Sequence, residues 1–275
     1  MIDPSEWLDK AKALPLGGKS LLSHSCGSGR KLLIEHKETG WAAWCYRCSL
    51  PGFVPKPKLT LSERIAALSA KIQVEKVAMQ SIRPPMPMEV MPSLWPDKAK
   101  VWLYKAGFDN DWLQEIGFYW CPSLARIVMP VLCDQGKLCF WQARGFDPER
   151  PKYLSPALPA GMSKPVYRAF PARPDPERDA SILCLTEDIL SANKVGQAVT
   201  GWSILGTSLT PQAEAQIVNF GASKVLVWLD PDGAGVNGRR KIVPQLRALG
   251  LDARAVRADL DPKCYPLDDI RKKLL

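Results

Sequence analysis

No apolar run in this sequence approaches the roughly 20 residues that a membrane-spanning helix needs, so a helical membrane protein is excluded. The opening residues MIDPSEWLDK are polar and acidic, without the basic segment and apolar core of a secretory signal. There is no internal repeat, and no Gly-x-x-x-x-Gly-Lys-Ser/Thr loop that would mark a P-loop NTPase. Acidic residues are in deficit, 28 against 37 basic ones, for a net charge of +9. A polyanionic partner is therefore plausible, although basicity alone does not select one. Eight cysteines are present but unevenly spread. Cys26, Cys45 and Cys48 cluster, whereas Cys121, Cys133, Cys139, Cys184 and Cys264 are scattered among apolar residues. This suits one metal site in a reducing compartment better than a disulfide framework, and a soluble cytoplasmic protein is expected. The 275 residues allow one or two domains plus a small module.

Proline divides the chain. PGFVPKPK (51–58) closes a first segment, RPPMPMEVMPSLWP (83–96) closes a helical stretch expected over about 62–80, and FPARPDPERD (170–179) separates two parts of the remainder. The order reads as small module, stiff tether and body. In the body, 97–120 predicts two short helices around a glycine-bounded turn. RIVMPVLC and KLCFWQARGF predict a hairpin about Asp134-Gln135-Gly136, followed by a strand at KYLS. After 180, strands SILCLTE, AVTGWS, KVLVWL and DARAVRA alternate with helices ILSANKVG, PQAEAQIVNFG and NGRRKIVPQLRALG. That rhythm predicts βαβ units and a parallel sheet.

Within LSHSCGSGRKLLIEHKETGWAAWCYRCSLPG (22–52), Cys45-x-x-Cys48 is a knuckle whose thiolates can share one tetrahedral ion. A second pair, His24-x-Cys26, lies upstream, and the strands LLIEH and WAAW between them would bring both pairs to one end of a hairpin. This is the geometry of a zinc ribbon with ligands His24, Cys26, Cys45 and Cys48; His36 is the alternative fourth ligand. Such a site is expected to be structural, contributing on the order of 10–16 kcal/mol to a module with little core. Trp41, Trp44, Arg30, Lys31 and Arg47 decorate the ribbon. Aromatics interleaved with cations suit single-stranded bases and phosphate, and the tryptophans serve equally well as the ribbon's own packing.

The run VLVWLDPDGAG (225–235) leaves an apolar strand for two carboxylates one residue apart. Charges that close repel by about 4 kcal/mol at an effective dielectric of 20, so a cation is expected nearby. Asp230 and Asp232 follow one predicted strand, Glu187 and Asp188 another, and Asp259 and Asp261 a third. Acids gathered at one edge of a parallel sheet are hard oxygen ligands of the kind Mg²⁺ takes.

LTEDILSANKVG followed by VWLDPDGAG resembles the TOPRIM domain of bacterial-type primases, topoisomerases and some nucleases. The resemblance implies that Glu187 is the acid/base or metal-binding glutamate, with Asp230 and Asp232 as metal ligands. The first motif departs from Glu-Gly-x-x-Asp, having Asp188 at the glycine position and Ser191 at the aspartate position. RIVMPVLCDQGKLCFWQARGFDPERPKYLSP (126–156) is similar to the basic subdomain that precedes TOPRIM in primases, which implies that Arg144 and Lys152 line a groove and contact template or nucleotide phosphate. DPKCYP is similar to the family's Asp-Pro-x-x-Tyr element, making Asp261 a further acid. The phage primases fit best, because CYRC and the following Pro-Gly are similar to theirs. The fold implied is α/β: a zinc ribbon (1–55), a linker with one helix (56–96), an α+β basic subdomain (97–178) and a TOPRIM subdomain with a mainly parallel sheet (179–275).

By this resemblance the chain is expected to be a DNA primase. It would synthesise RNA primers on a single-stranded DNA template from ribonucleoside triphosphates, with structural Zn²⁺ and catalytic Mg²⁺ or Mn²⁺. A replicative helicase and a DNA polymerase would be separate partners. Trp41 and Arg47 are candidate template contacts. Arg239, Arg240 and Lys241 either bind triphosphate or form a solvated helix face, and Lys194 is open in the same way. Two rivals remain: a TOPRIM nuclease using the same acids to activate water, and a non-catalytic zinc-ribbon adaptor that binds single strands. A type I topoisomerase needs a large gate domain for which the chain has no room.

Overall fold

Burial alternates along KSLLSH, and in KLLIEH Leu32 and Ile34 are buried while Leu33 between them is less so, the period of two that lets a strand bury one face. These segments become β1 (Lys19–His24) and β2 (Gly27–His36), joined by β3 (Gly40–Cys45) and β4 (Pro51–Pro55) in an antiparallel sheet of that order. The computed structural model describes residues 1–37, 39–57, 82–158, 162–170 and 176–275. The chain divides into two compact units, Met1–Lys71 and Ile72–Leu275. In the smaller unit Trp7 and the short helix α1 (Leu8–Lys12) cover one face of the sheet, where Ile2, Trp7, Ala11, Leu32, Ile34, Ala43 and Cys45 form a small core. Four strands stand where the spacing predicts two. PGFVP, expected as the close of the first segment, is the edge strand β4. Proline is tolerated there because an edge strand has one side on which no N–H is needed.

The larger unit begins, among the described residues, with the proline-rich stretch. It was expected as part of a tether, but from Arg83 onward it lies against the body. Tyr119 Oη donates to the Pro85 carbonyl at 3.1 Å and Ser123 Oγ to the Met86 carbonyl at 2.7 Å. Trp95 is buried, with its indole N–H donating to the Glu89 carbonyl at 2.8 Å. A tryptophan in a proline-rich run carries too much apolar surface to leave in water, and its burial ties the segment down. The helix expected over 62–80 lies outside the described residues.

Helices α2 (Asp97–Lys105) and α3 (Asn110–Glu115) follow, separated by Gly107 at φ +82°. They pack on an antiparallel sheet of β5 (Tyr119–Cys121), β6 (Arg126–Leu132), β7 (Leu138–Gly145) and β8 (Tyr153–Leu154). Gly136, at φ +71°, turns the expected β6–β7 hairpin. The second sheet has the order β13-β12-β10-β11-β9. Its parallel strands are β10 (Asp179–Thr186), β11 (Val199–Ser203), β12 (Lys224–Trp228) and β13 (Ala253–Ala255). The short β9 (Tyr167–Arg168) runs antiparallel at one edge. Helices cover both faces. Leu183 and Leu185 meet α5 (Pro211–Phe220) and α6 (Gly233–Ala248) through Ile217, Ile242 and Leu246. Ile182 and Cys184, pointing the other way, meet α4 (Ile189–Gly196) and α7 (Leu267–Leu274) through Val195, Ile270 and Leu274. A strand buried on both faces explains why ILCLT and VLVW are apolar throughout rather than alternating. Helix α6 begins at Gly233, four residues before the predicted start, so the glycines after Asp232 form its first turn.

Candidate functional site

In the smaller unit, His24 ends β1, Cys26 lies in the β1–β2 turn, Cys45 ends β3 and Cys48 lies in the turn before β4. Their ligand atoms all fall within 4.8 Å of one another. Cys26 Sγ is 3.6 Å from Cys45 Sγ, and Cys48 Sγ is 3.5 Å from His24 Nδ1. Ligands about 2.0–2.3 Å from a shared tetrahedral ion stand roughly 3.5–3.8 Å apart, so the four residues fit zinc. Backbone N–H groups of Cys48 and Arg47 point at Cys45 and lower its thiol to about 6, favouring the thiolate that a metal takes. Burial, with the neighbouring sulfurs, pushes Cys26 up to about 11, a mutual repulsion that a dication between them would cancel. His24 Nε2 faces a Glu6 carboxylate oxygen at 3.7 Å, and the other ring nitrogen is turned towards the cysteines. His36 is elsewhere engaged: Nδ1 bonds the Leu14 carbonyl at 2.6 Å and the ring stacks on Trp41.

In the larger unit, β10 and β12 are parallel neighbours with Thr186 opposite Trp228. Glu187 therefore leaves the sheet beside Asp230. Asp232 caps α6, its Oδ1 accepting the Gly235 N–H at 2.8 Å. Gly235 is required there, because a Cβ would run into the Asp230 carbonyl. Burial, reinforced by Asp230, Asp232 and Asp188, pushes the Glu187 carboxyl up to about 7. Burial raises Asp230 to about 6, Lys263 working against the shift and Asp261, Asp188 and Asp232 adding to it. Glu187 Oε2 and Asp230 Oδ1 are buried and have no hydrogen-bond partner. Two orphaned oxygens beside further acids are what a divalent cation would satisfy, and hard-ion chemistry fits this donor set.

Asp188, counted from sequence among the strand-end acids without a role of its own, and Lys263, not singled out as functional, complete the cluster. Lys263 Nζ lies 2.8 Å from Asp188 Oδ2 and 2.6 Å from Asp261 Oδ2. Arg144, on β7, sits among three rings, 5.4 Å from the Trp102 centroid, 5.7 Å from Phe146 and 5.3 Å from Tyr153. Tyr153 links this cage to the acids: burial pushes its hydroxyl up to about 12, with the charges of Asp188, Arg144, Lys263 and Asp230 all felt there. Lys152 is exposed beside the Tyr153 ring at 5.7 Å. On α6, Arg239 Nη1 is buried without a partner, while Lys241 is exposed.

Two expected contacts are differently placed. Lys194 is 93 % buried by its 7 % exposure, its ammonium against Gly107, and burial lowers its pKa. It packs against the turn between α2 and α3. Trp41 is half-buried, pairing across the sheet with His36 and approached by Lys12 and Lys56, so packing is its evident role. Arg47 is exposed with its guanidinium over Gly27, and Trp44 is exposed. A cavity of about 600 Å³ between the β6–β7 turn, Pro165–Arg168 and α5 is lined by Asp134 but by none of the clustered acids Glu187, Asp188, Asp230, Asp232 and Asp261.

No protein-family model matches the chain. A DNA primase of Halalkalibacterium halodurans is 30% identical over 146 residues, 51% of this chain and 24% of that protein. The RNA polymerase domain of Mycobacterium tuberculosis primase DnaG superposes with a TM-score of 0.52 at 14% identity, covering 77% of this chain and 83% of that one. A DnaG primase catalytic domain, described as bound to single-stranded DNA, gives 0.51 at 14% identity, covering 78% and 79%. The fold is that of a primase catalytic domain. The sequence match spans about a quarter of the primase it aligns with. Among the described residues, no helix is long and apolar enough to cross a membrane.

Proposed function

We propose that this chain is a DNA primase, a DNA-directed RNA polymerase that joins ribonucleotides into short primers on single-stranded DNA. The observation that carries the reading is the pair of orphaned carboxylate oxygens on Glu187 and Asp230, at the ends of adjacent parallel strands in a fold shared with primase catalytic domains. Identity to a DNA primase over half the chain supports it, and the single-stranded DNA named for a structural relative supports the template assignment.

Glu187, Asp230 and Asp232 would hold Mg²⁺ or Mn²⁺, with Asp261 beside them. When bound, a divalent ion lowers the pKa of the attacking 3′-hydroxyl and neutralises charge on the leaving pyrophosphate. The protein's own part is positioning and charge. Arg144, its plane fixed by three aromatic rings, presents a guanidinium to template or nucleotide phosphate, with Lys152 next to it. Arg239, with one nitrogen unpartnered, suits triphosphate, and exposed Lys241 adds charge on the same helix. His24, Cys26, Cys45 and Cys48 would hold structural Zn²⁺, and the ribbon, with Arg47 and Trp44 exposed, would select template sequence. The proposed division is ribbon (1–55), linker (56–96) whose end from Arg83 is held on the body, basic subdomain (97–178) and metal-binding subdomain (179–275). A cytoplasmic site of action with a separate helicase and DNA polymerase completes the proposal.

The test is template-directed synthesis on single-stranded DNA covering all trinucleotides, with labelled ribonucleotides and Mg²⁺ or Mn²⁺. Short template-dependent RNA is expected, lost in Asp232→Ala while template binding persists. Template degradation without synthesis would indicate a nuclease instead. Zinc-dependent single-strand binding without synthesis would indicate an adaptor.

A further inference from the structure

The acid cluster has two unlike halves. On one side, Glu187 Oε2 and Asp230 Oδ1 have no partner. On the other, every contact of Asp188 is within the chain: Oδ1 accepts the Ser191 N–H at 3.0 Å, and Oδ2 accepts the Ser191 hydroxyl at 2.9 Å and the Lys263 ammonium at 2.8 Å. Lys263 also bonds Asp261 at 2.6 Å, and only 19% of its side chain is exposed. The lysine sits in the 3-10 turn Pro262–Cys264, whose first residue is buried, so its stem is anchored where it enters the cluster. Asp188 thus serves at once as the cap of α4 and as half of the ammonium clamp.

We propose that Lys263 is a resident cation of the cluster, occupying the Asp188–Asp261 half, so that the free protein takes up one divalent ion, at the Glu187–Asp230 half. The inference rests on reading the cluster as a metal site. A second divalent ion between Asp188 and Asp261 would have to displace an ammonium that already makes two short charge-assisted bonds. Like charges at such spacing repel strongly in a half-buried site, while an ammonium costs no dehydration of a hexahydrated ion. A lysine in this place gives the cluster part of its neutralisation permanently and keeps Asp188 and Asp261 from repelling each other when no ion is bound.

The experiment counts Mn²⁺ bound to the full, zinc-loaded chain, by the electron paramagnetic resonance signal of the free ion. Wild type is expected to bind one equivalent and Asp230→Asn none, whereas Lys263→Met is expected to bind two. Two equivalents on wild type, or one on a folded Lys263→Met, would overturn the assignment of Lys263. No Mn²⁺ bound by wild type would remove the metal-site reading itself, and the proposal with it. Should Lys263→Met not fold, Lys263→Gln is the second variant: it removes the positive charge, keeps a polar side chain between Asp188 and Asp261, and is expected to bind two equivalents. A count unchanged at one in that variant would count against the proposal. The wild-type stoichiometry is decisive without either.

Discussion

Neutralising a carboxylate at the centre of the site should stabilise the metal-free fold while abolishing synthesis, and Asp230→Asn is the perturbation that shows it. Burial and its acidic neighbours raise the Asp230 carboxyl to about 6, against an ordinary value near 3.9. A folded-state pKa above the unfolded one means that the folded chain is penalised once the group ionises. The penalty is absent below about pH 3.9, grows as pH rises, and is fully present above about pH 6. Two units are worth about 3 kcal/mol at 1.36 kcal/mol per unit. Screening by solvent at the open side of the site brings this to about 1–2 kcal/mol. For a unit of this size, that corresponds to roughly 2–8 °C in melting temperature. Calorimetry of the zinc-loaded protein without added Mg²⁺ at pH 7.5 should therefore show Asp230→Asn melting higher than wild type. The gap should fall to about half at pH 5. Adding Mg²⁺ should reverse the order, because only wild type gains from binding. A variant less stable than wild type without Mg²⁺, or a gap that ignores pH, would refute the argument that burial and like charge set this carboxyl.

Other expectations are simpler to check. Glu6→Gln removes the carboxylate facing His24 Nε2 and should weaken zinc retention about 10–100-fold in competition with a chromogenic chelator. Cys45→Ser removes a ligand that is also part of the ribbon's small core, and circular dichroism and hydrogen exchange should show β1–β4 unprotected whether or not zinc is supplied. Arg144→Lys keeps the charge but loses the plane held by Trp102, Phe146 and Tyr153. Template or nucleotide affinity should fall by about 3- to 30-fold, corresponding to roughly 0.5–2 kcal/mol of cation–π interaction.

Features written in local spacing were legible from the sequence. The candidate metal ligands His24, Cys26, Cys45 and Cys48 come as two short pairs, and the pairs need only adjacent turns to meet. The acids at 187, 230 and 261 follow apolar strands whose parallel arrangement is implied by strand–helix alternation. What was not legible depends on residues far apart in the chain. Lys263 reads as a charge in a loop until folding brings it to Asp188, 75 residues away. The cage around Arg144 draws on Trp102 of α2, Phe146 just after β7 and Tyr153 of β8, which only the fold brings together. Lys194, left open from sequence between a triphosphate contact and a solvated helix face, is buried by the packing of α4.

By itself, then, the sequence determined which chemistry is possible: a soft N/S site near the N-terminus and a hard oxygen site at the edge of a parallel sheet. Those follow from side-chain type and from the period of apolar residues, both properties of short stretches. Only the tertiary structure decided between His24 and His36, converted a proline-rich stretch into an edge strand, and divided the acid cluster into an open half and a half closed by lysine. These choices are made by desolvation and by charge at distances of 3–4 Å, where long-range packing sets which groups meet.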